Sequence, residues 1–437
     1  MERILIKLAK PGANVRICGF VYNIRRTKKR DFLILQDHTG KIQVLIEHDE
    51  KPNITKVVEA LTIGSTIQVL GMVMENSNVK MGGVEIIPTQ IKVETIAKPI
   101  PINSESSQEV LMDYRWINLR DPKVSLIFKA QTILEAAMRE FWLNNGFLEM
   151  HSPKLMGTAS ESGSELFSLQ YFKEKTAYLA QSPQLYKQMA MAAGYPGVFE
   201  IGPVFRANPS FTSRHDTEFT SVDTEIAWID SHEDVMKFEE LWIRHMFERL
   251  EEQLGGEIEE LYGIKLEKVK VPFPRITFER AKSIAKSHNY FSMKENDFEP
   301  DEEKLLGNII KQETGSDFVF VTEFPISARP FYHMRFEERP YLTKSYDLFY
   351  KGIEITTGAQ REHHPEILCK QILEKQVSEN DAKLMESLQN YLQFFDYGMP
   401  PHGGFGFGLT RVLMKIFNLQ NVRQATYLYR GPKRLTP

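Results

Sequence analysis

The chain has 437 residues, of which 42% are hydrophobic and 26% are charged, and its formal net charge at pH 7 is −4. This length leaves room for more than one domain, and the composition is typical of a globular protein, which excludes a largely disordered chain. The slight acidity excludes a protein coated in nucleic acid over its whole surface but permits a local basic patch.

The cysteines and the hydropathy pattern indicate the cellular compartment of the protein. Cys18 and Cys369 lie far apart without metal-type spacing, which indicates a reducing compartment and no disulfide framework. The first residues are too polar for a signal peptide, and no apolar run approaches the roughly 20 residues that cross a bilayer. We therefore expect a cytoplasmic protein without a membrane segment.

Residues 1–96 read as five short strands with one intervening helix. The strands are expected at 15–23, 31–36, 41–47, 65–74 and 83–94, and the helix at 54–61. This order predicts an OB-type barrel, whose open face and loops bind single-stranded nucleic acid. A basic run from Arg25 to Arg30 precedes Phe32, so phosphates and an unstacked base would both find a partner there. The alternative is a solvated hairpin loop beside a core phenylalanine.

A Pro- and Ser-rich stretch follows the barrel and is the best domain boundary in the chain. We place a linker or hinge at 97–122 and a second domain at 123–437. Helical periodicity at 126–145, 232–254 and 302–314 alternates irregularly with strands, which predicts an α+β domain built on a largely antiparallel sheet flanked by helices. The charged segment at about 256–310 reads as a peripheral insertion.

The hairpin at 198–230 combines an aromatic ring, carboxylates and guanidinium groups. Its strands flank a polar loop that carries Arg214 and His215, and Arg206 ends the first strand. Such a surface suits a nucleoside triphosphate, because the ring stacks on the base and the cations hold phosphates. A core hairpin with a solvated loop is the alternative. Side chains alternate between the two faces of a strand, so four residues of the second strand lie on one face: Phe219, Ser221, Asp223 and Glu225.

A second hairpin, at 345–355, carries two acidic side chains. If its turn centres on Tyr350 and Lys351, Asp347 and Glu354 lie directly opposite each other. Like charges in that position destabilise a sheet unless a cation neutralises them, and oxygen-only ligands suit Mg²⁺. The alternative is a solvated pair at the end of a hairpin.

Three further stretches supply cations and glycines. Gln184 and Lys187 lie at the start of a helix, and Arg361 follows the second hairpin closely. A glycine-rich run at 403–408 precedes Arg411, which enters at a helix start. Glycines allow a backbone to approach a nucleotide closely, although turns and bulges use glycine equally.

Together these stretches resemble the class II aminoacyl-tRNA synthetases, and among them the aspartyl enzymes of the archaeal and eukaryal type, over essentially the whole chain. The segment with Gly146, Phe147 and Glu149 is similar to motif 1, which in that family builds a homodimer interface. The hairpin from Arg206 to Phe219 is similar to motif 2. The run that ends at Arg411 is similar to motif 3.

The resemblance implies a role for each candidate residue. Arg206 and Arg411 would be catalytic. ATP would be bound by Arg206, Arg214, His215, Phe219, Glu354 and Arg411. L-Aspartate would be bound by Glu161, Gln184, Lys187, Asp223 and Arg361. Mg²⁺ would be held by Asp347, Glu354 and Thr357. The tRNA anticodon would contact Phe32, Gln43 and Glu85.

The implied reaction is ATP-dependent ligation of L-aspartate to tRNA(Asp) through aspartyl-adenylate, with tRNA(Asn) as an open second substrate. Related asparaginyl enzymes lack the lysine at position 187, and a pocket with two cations and no nearby negative charge would reject asparagine. Asn208 in motif 2 and Thr410 in motif 3 depart from the family pattern. The unusual motif 2 and the absence of glycines at 25–30 favour relaxed tRNA specificity. The alternatives are an asparaginyl-tRNA synthetase, an adenylate-forming amino-acid ligase and a tRNA-binding paralogue with an altered active site.

Overall fold

The computed structural model describes residues 1–157, 166–173, 175–209, 212–375 and 388–437. These residues form two compact units, Met1–Ser125 and Leu126–Pro437. None of their helices is both long and apolar enough to span a membrane.

The first unit is a closed five-stranded barrel, so the expected OB fold is confirmed. Its strands are β1 Asn14–Arg26, β2 Arg30–Asp37, β3 Gly40–Glu47, β4 Thr66–Glu75 and β5 Val84–Thr95, in the spatial order β1-β2-β3-β5-β4. Alternate strand residues such as Ile17, Leu33 and Val44 are fully buried and fill the interior. Helix α1 is Pro52–Glu59, and a 3₁₀ turn at Ile6–Leu8 precedes β1. Within the stretch that we place as a hinge, α2 spans Gln108–Asp113 and α3 spans Arg115–Asn118.

The second unit is built on an eight-stranded sheet. Its strands are β6 Leu148–Glu149, β10 Gly197–Phe205, β11 Glu218–Ala227, β12 Arg275–Thr277, β13 Phe318–Thr322, β14 Ser345–Tyr350, β15 Ile353–Gln360 and β16 His402–Phe407. Their order is β12-β13-β14-β15-β16-β11-β10-β6, and all neighbours are antiparallel except the two edge pairs. The predicted α+β fold with an antiparallel sheet is thus confirmed. A separate three-stranded sheet consists of β7 Leu155–Met156, β8 Ser168–Tyr171 and β9 Lys175–Leu179.

Helices cover the sheet. They are α4 Pro122–Asn144, α5 Gln184–Ala192, α6 His232–Tyr262, α7 Phe278–Ser287, α8 Pro300–Thr314, α9 Pro365–Lys375, α10 Gln389–Gln393, α11 Leu409–Ile416 and α12 Val422–Ala425, with 3₁₀ turns at Ile326–Ala328 and Phe394–Tyr397. Trp142 of α4 stacks on Phe199 of β10 and on Trp242 of α6, with ring centroids 4.5 and 4.9 Å apart. These buried rings fix α4 and α6 against the sheet.

The segment 256–310 supplies the edge strand β12 of the eight-stranded sheet and helices that pack beside it. Its first residues complete α6, which ends at the left-handed Gly263, and β12 then pairs in parallel with β13. Helices α7 and α8 pack through Phe278 and Leu306 against the apolar side chains of β13. Glu303 of α8 also reaches the polar face of the sheet, as described below.

The hairpin at 345–355 has a different strand register from the one predicted. The turn centres on Lys351 and Gly352, both with positive φ (48° and 68°), so it is a two-residue turn of the type that suits hairpins. A bulge between Leu348 and Phe349 shifts the pairing further. Asp347 therefore lies opposite Thr357, and the prediction that it lies opposite Glu354 is wrong.

A buried acid under the sheet makes stability depend on pH. Glu239 of α6 is fully buried and accepts a hydrogen bond from the Tyr346 hydroxyl at 2.7 Å, and burial raises the pKa of Glu239 to about 8. In the unfolded chain the carboxyl titrates near 4.5, so the native state binds the extra proton between these values. The free energy of unfolding should therefore fall as pH rises from about 5 to 8.

Glu239→Gln should remove this dependence, because the amide stays neutral and its oxygen still accepts from Tyr346. We expect the variant to be more stable than the wild type at pH 8 by an amount on the order of a few kcal/mol, and the difference to shrink towards pH 5. Urea unfolding at several pH values measures this. Parallel stability curves for the two proteins would contradict the assignment.

Candidate active site

The antiparallel register places four residues in one row across the centre of the sheet. Asp223 on β11 pairs with Gly406 on β16, Gly406 pairs with Thr357 on β15, and Thr357 pairs with Asp347 on β14. Directly opposed residues share a face, so the polar side chains of this row point the same way. Because Gly406 has no side chain, the centre of the row stays open.

A cavity of about 390 Å³ lies over this row. The loop after β10, the start of α5 and the start of α11 supply the rest of its wall. The cavity wall includes most of the residues that we expected at the site: Gln184, Arg206, Arg214, His215, Phe219, Asp223, Glu354, Thr357, Arg361 and Arg411. Lys187 and Asp347 are not part of the wall, but each contacts a wall residue, Asp223 and Arg329 respectively. Glu161 lies outside the described residues.

One end of the cavity is strongly cationic. His215 is half-buried among Arg206, Arg214 and Arg411, and burial together with these three positive charges lowers its pKa. The guanidinium of Arg206 lies 5.5 Å from the centroid of the Phe219 ring. A flat ring and three guanidinium groups thus converge, as the motif 2 and motif 3 patterns predict.

Two of the cations at this end, Arg214 and Arg411, contact acidic residues. Arg214 forms an ion pair with Glu303 of α8 at 2.6 Å, and Arg411 donates to the Glu354 carbonyl oxygen at 2.9 Å. Burial raises the pKa of Glu303 to about 7, and the charge of Glu354 adds to this effect. Glu303 was missed from the sequence, because the helical pattern of α8 does not reveal that one of its acids reaches another element.

Asp347, Glu354 and Thr357 lie beside the cationic end. The Thr357 hydroxyl donates to Glu354 Oε1 at 3.2 Å, and Arg329 contacts Asp347 Oδ1 at 2.8 Å. Burial raises the pKa of Asp347 to about 6, and the nearby Glu354 charge contributes. The ligand atoms that these three residues offer are all oxygens, and two of the residues are carboxylates, so this set fits a hard divalent cation.

The opposite end holds a buried ionic cluster. Lys187 Nζ contacts Asp223 Oδ1 at 2.9 Å and Glu225 Oε2 at 3.5 Å, and Arg361 Nε contacts Glu225 Oε1 at 2.9 Å. Glu225 is fully buried, and although burial opposes ionisation, Arg361 and Lys187 hold its pKa below the usual value. The expectation of two cations with no negative charge nearby is therefore wrong, because Glu225 lies between them.

The glycine-rich run forms strand β16 in the middle of the sheet. A β-carbon on Gly404 would overlap the Thr224 carbonyl oxygen and the Glu225 carboxylate, and the Gly404 carbonyl oxygen accepts from Arg361 Nη2 at 3.0 Å. Glycine at this position therefore makes room for the ionic cluster. Packing around buried side chains therefore explains the glycine at this position of the run.

Two further wall residues come from the stretch between β13 and β14. Arg329 and His333 are both buried and line the cavity. This stretch shows neither helical nor strand periodicity, so no sequence signal placed these side chains at the site.

On the barrel, the three candidate anticodon contacts lie on adjacent strands. Gln43 on β3 pairs with Glu85 on β5, and Gln43 Nε2 donates to Glu85 Oε2 at 2.7 Å. Phe32 lies on the neighbouring β2, with the Arg25 guanidinium 4.3 Å from its ring centroid. The barrel thus brings an aromatic ring, an amide, a carboxylate and a cation to one face.

The sequence matches two family models. Residues 107–430 match the tRNA synthetases of class II (D, K and N), and residues 15–94 match the OB-fold nucleic acid binding domain. The chain therefore belongs to the class II tRNA synthetase family that contains the D, K and N enzymes, and the resemblance inferred from the motifs is confirmed. Members of this family act on an amino acid, ATP and tRNA with a divalent metal ion.

Named relatives and a solved structure are similar to this chain over nearly its whole length. The aspartate–tRNA(Asp/Asn) ligase of Aeropyrum pernix is 39% identical over 435 residues, which cover 98% of this chain and 96% of that protein. The aspartate–tRNA(Asp) ligase of Pyrococcus abyssi is also 39% identical, over 98% of this chain and 97% of that protein. Among solved structures, asparaginyl-tRNA synthetase from Pyrococcus horikoshii with asparaginyl-adenylate superposes with a TM-score of 0.92 at 32% identity, over the full length of both chains.

Proposed function

We propose that the protein is an aspartate–tRNA ligase that activates L-aspartate with ATP and transfers it to tRNA(Asp). The observation that carries this proposal is the pairing of two ends in one cavity, a cationic end with Arg206 and Arg411 and a buried end with Arg361 and with Asp223, which Lys187 contacts. The first end suits a triphosphate, and the second suits an acidic side chain. The relatives named as aspartate ligases support the same substrate.

In the first step, a carboxylate oxygen of the aspartate α-carboxyl attacks the α-phosphorus of ATP. A new C–O–P linkage forms, the bond to the β-phosphate oxygen breaks, and pyrophosphate leaves. The attacking carboxylate is already ionised, so no protein base is needed. Arg206 would bind the α-phosphate, Arg214, His215 and Arg411 the γ-phosphate side, and Phe219 would stack on adenine. Their contribution is positioning and preorganised positive charge.

In the second step, the 3′-hydroxyl of the terminal adenosine of tRNA attacks the carbonyl carbon of aspartyl-adenylate. The ester bond to tRNA forms as the bond to the phosphate oxygen breaks, the hydroxyl proton passes to a phosphate oxygen of the departing AMP, and AMP leaves. Asp223 would bind the aspartate ammonium, since it lines the cavity with one carboxylate oxygen on Lys187. Glu161 would support the ammonium from a segment outside the described residues.

We assign the divalent cation as Mg²⁺, held by Asp347 and Glu354 with the Thr357 hydroxyl in support. Oxygen donors of this kind suit Mg²⁺, which shares its coordination shell with phosphates and water. When bound, the ion neutralises phosphate charge that develops as pyrophosphate leaves. Arg329 holds one oxygen of Asp347 and orients this carboxylate.

An asparaginyl-tRNA synthetase is not favoured as the alternative. A side-chain amide offers no charge to Lys187 and Arg361, and it would leave part of this buried cationic potential unmatched. Lys187 and Arg361 carry two positive charges, and Asp223 and Glu225 carry two negative ones. If Asp223 pairs with the aspartate ammonium, one positive charge of the cluster is left for the side-chain carboxylate. The superposition on an asparaginyl enzyme reflects the common fold of the family.

Charging of purified tRNA(Asp) and tRNA(Asn) with radiolabelled aspartate tests the proposal. We expect efficient charging of tRNA(Asp). A relative named as a tRNA(Asp/Asn) ligase and a relative named as a tRNA(Asp) ligase are both 39% identical to this chain. Sequence identity therefore does not distinguish the two specificities, and the assay has to compare the two tRNAs directly. The departures in motif 2 favour charging of tRNA(Asn) as well. Absence of charging with either tRNA would refute the proposed function.

The barrel would read the anticodon through Phe32, Gln43 and Glu85. Phe32→Leu should weaken tRNA binding by about 1–3 kcal/mol, because it removes one stacking platform for a base. The KM for tRNA should rise roughly 5- to 150-fold, while ATP–pyrophosphate exchange with aspartate stays unchanged. Tyr22→Leu, at an exposed aromatic of the barrel, is the control. An equal loss in both variants would argue against a specific role for Phe32.

We further propose a homodimer formed through the end of α4 and the following strand β6, where motif 1 lies. Leu143 and Leu148 are exposed there, with 58% and 39% of their surface accessible. Burial of these side chains against a second copy would stabilise the pair. The molar mass in solution measures this directly.

A further inference from the structure

Three side chains with metal-ligand chemistry lie together in the loop between β15 and α9. Glu362, His363 and His364 are consecutive in the chain, and the ligand atoms that they offer, one carboxylate oxygen and two imidazole nitrogens, lie within 4.8 Å of one another. Among the described residues, no other group of three or more His, Cys, Asp or Glu side chains is spaced so closely. The loop has no part in the adenylation chemistry proposed above.

The carboxylate of this cluster is held in place by the backbone. Glu362 is 3% exposed, and its backbone N–H donates to the Tyr332 carbonyl oxygen. Its Oε1 atom accepts from the backbone N–H groups of His363 and His364, both at 3.0 Å. The Nδ1 atom of His364 lies 2.9 Å from the same oxygen. The carboxylate is therefore oriented by its own loop, with an imidazole beside it.

The second imidazole completes the group. The rings of His363 and His364 have centroids 4.0 Å apart, and their planes are inclined at 40°. Nδ1 of His363 is buried and has no hydrogen-bond partner among the described residues. The side chain of His364 is 50% exposed, so an ion can reach the cluster from solvent. A neutral imidazole has one nitrogen lone pair, which a metal ion can use.

We propose that Glu362, His363 and His364 form a binding site for Zn²⁺. Two imidazoles and one carboxylate suit this ion, whereas Mg²⁺ prefers oxygen ligands and belongs at Asp347 and Glu354. Zinc–ligand bonds of about 2.0–2.2 Å place the ligand atoms of a tetrahedral site roughly 3.3–3.6 Å apart. The exposed His364 side chain can rotate to reach this spacing. Three protein ligands leave the fourth position to water.

The position of the cluster gives such an ion a structural effect. Glu362 directly follows Arg361, whose backbone N–H donates to the His402 carbonyl oxygen, and α9 begins at Pro365. An ion on this loop would therefore fasten the end of β15 to the start of α9. A ligand that binds the native state alone stabilises it by mass action, so Zn²⁺ should raise the temperature of unfolding.

Titration of the full-length protein with Zn²⁺, after removal of metals with a chelator and with Mg²⁺ in excess, tests the proposal. We expect the wild type to bind one Zn²⁺ at this loop. His364→Ala and His363→Ala should each weaken this binding at least tenfold, because each removes one of three ligands. Asp347→Asn should bind Zn²⁺ as the wild type does. His288→Ala, at an exposed histidine that follows α7, is the matched control and should also bind normally.

Co²⁺ in place of Zn²⁺ gives a spectroscopic readout, because its visible absorption depends on ligand type and geometry. The wild type should show a stronger visible band than His364→Ala, and Zn²⁺ in excess should remove the difference. Circular dichroism checks the fold of each variant. If His363→Ala does not fold, the half-exposed His364 decides the test alone. Absence of Zn²⁺ binding to the wild type would overturn the proposal, and so would equal affinity in His364→Ala.

Discussion

Replacement of Arg206 by alanine should nearly abolish adenylate formation. The guanidinium lies at the cationic end of the cavity, 5.5 Å from the Phe219 ring centroid, where it would contact the α-phosphate at which charge develops. Loss of one preorganised donor of this kind costs roughly 3–4 kcal/mol of transition-state stabilisation, so kcat for ATP–pyrophosphate exchange should fall about 100- to 1000-fold. The KM for aspartate should change little.

Arg206→Lys is the matched comparison for this prediction. A lysine keeps the charge but cannot present two parallel donors to a phosphate, so we expect activity between the alanine variant and the wild type. Thermal unfolding should be the same in all three proteins, since Arg206 is partly exposed. Unaltered exchange in Arg206→Ala would show that this arginine has no part in the chemistry.

Replacement of Arg361 by methionine should affect both folding and substrate binding. Arg361 is 3% exposed, and it is the closest cation to the fully buried Glu225. Removal of one partner from a buried ion pair destabilises a protein by about 3–5 kcal/mol, because the other charge stays buried without compensation. Chemical denaturation should show this loss, and exchange with aspartate should be undetectable.

The double variant Arg361→Met, Glu225→Gln separates the two effects. The amide removes the unpaired charge, so most of the lost stability should return, while aspartate activation should not. Recovery of activity in the double variant would show that Arg361 serves only to neutralise Glu225. Glu225→Gln alone provides the reference for the cycle.

Local patterns in the sequence predicted much of this fold. The alternation of apolar residues located the five barrel strands, and the stop signal at Asn145 and Gly146 matches the end of α4 at Asn144. The alternation along β11 also placed Phe219, Ser221 and Asp223 correctly on the face that lines the cavity. These features depend on neighbours within one strand or one turn, so a single sequence contains them.

Features that depend on distant segments could not be predicted. The register of β14 and β15 changed because a bulge and a turn at Lys351 and Gly352 moved Asp347 opposite Thr357. The pairing of Glu225 with both Lys187 and Arg361 joins three elements that are far apart in the chain. His333 is held at the site by a β-bridge to Arg361, which directly follows β15, and its own segment has no periodic pattern.

The shared acid Glu225 has a consequence for how this pocket could change over evolutionary time. If Lys187 is lost, Glu225 keeps Arg361, and Asp223 keeps the hydrogen bond from the Ser221 hydroxyl. If Arg361 is lost, the only cation left near Glu225 among the described residues is Lys187, which lies 3.5 Å away and is also bound to Asp223. A change from a charged to a neutral substrate side chain can thus proceed by loss of Lys187 but not by loss of Arg361.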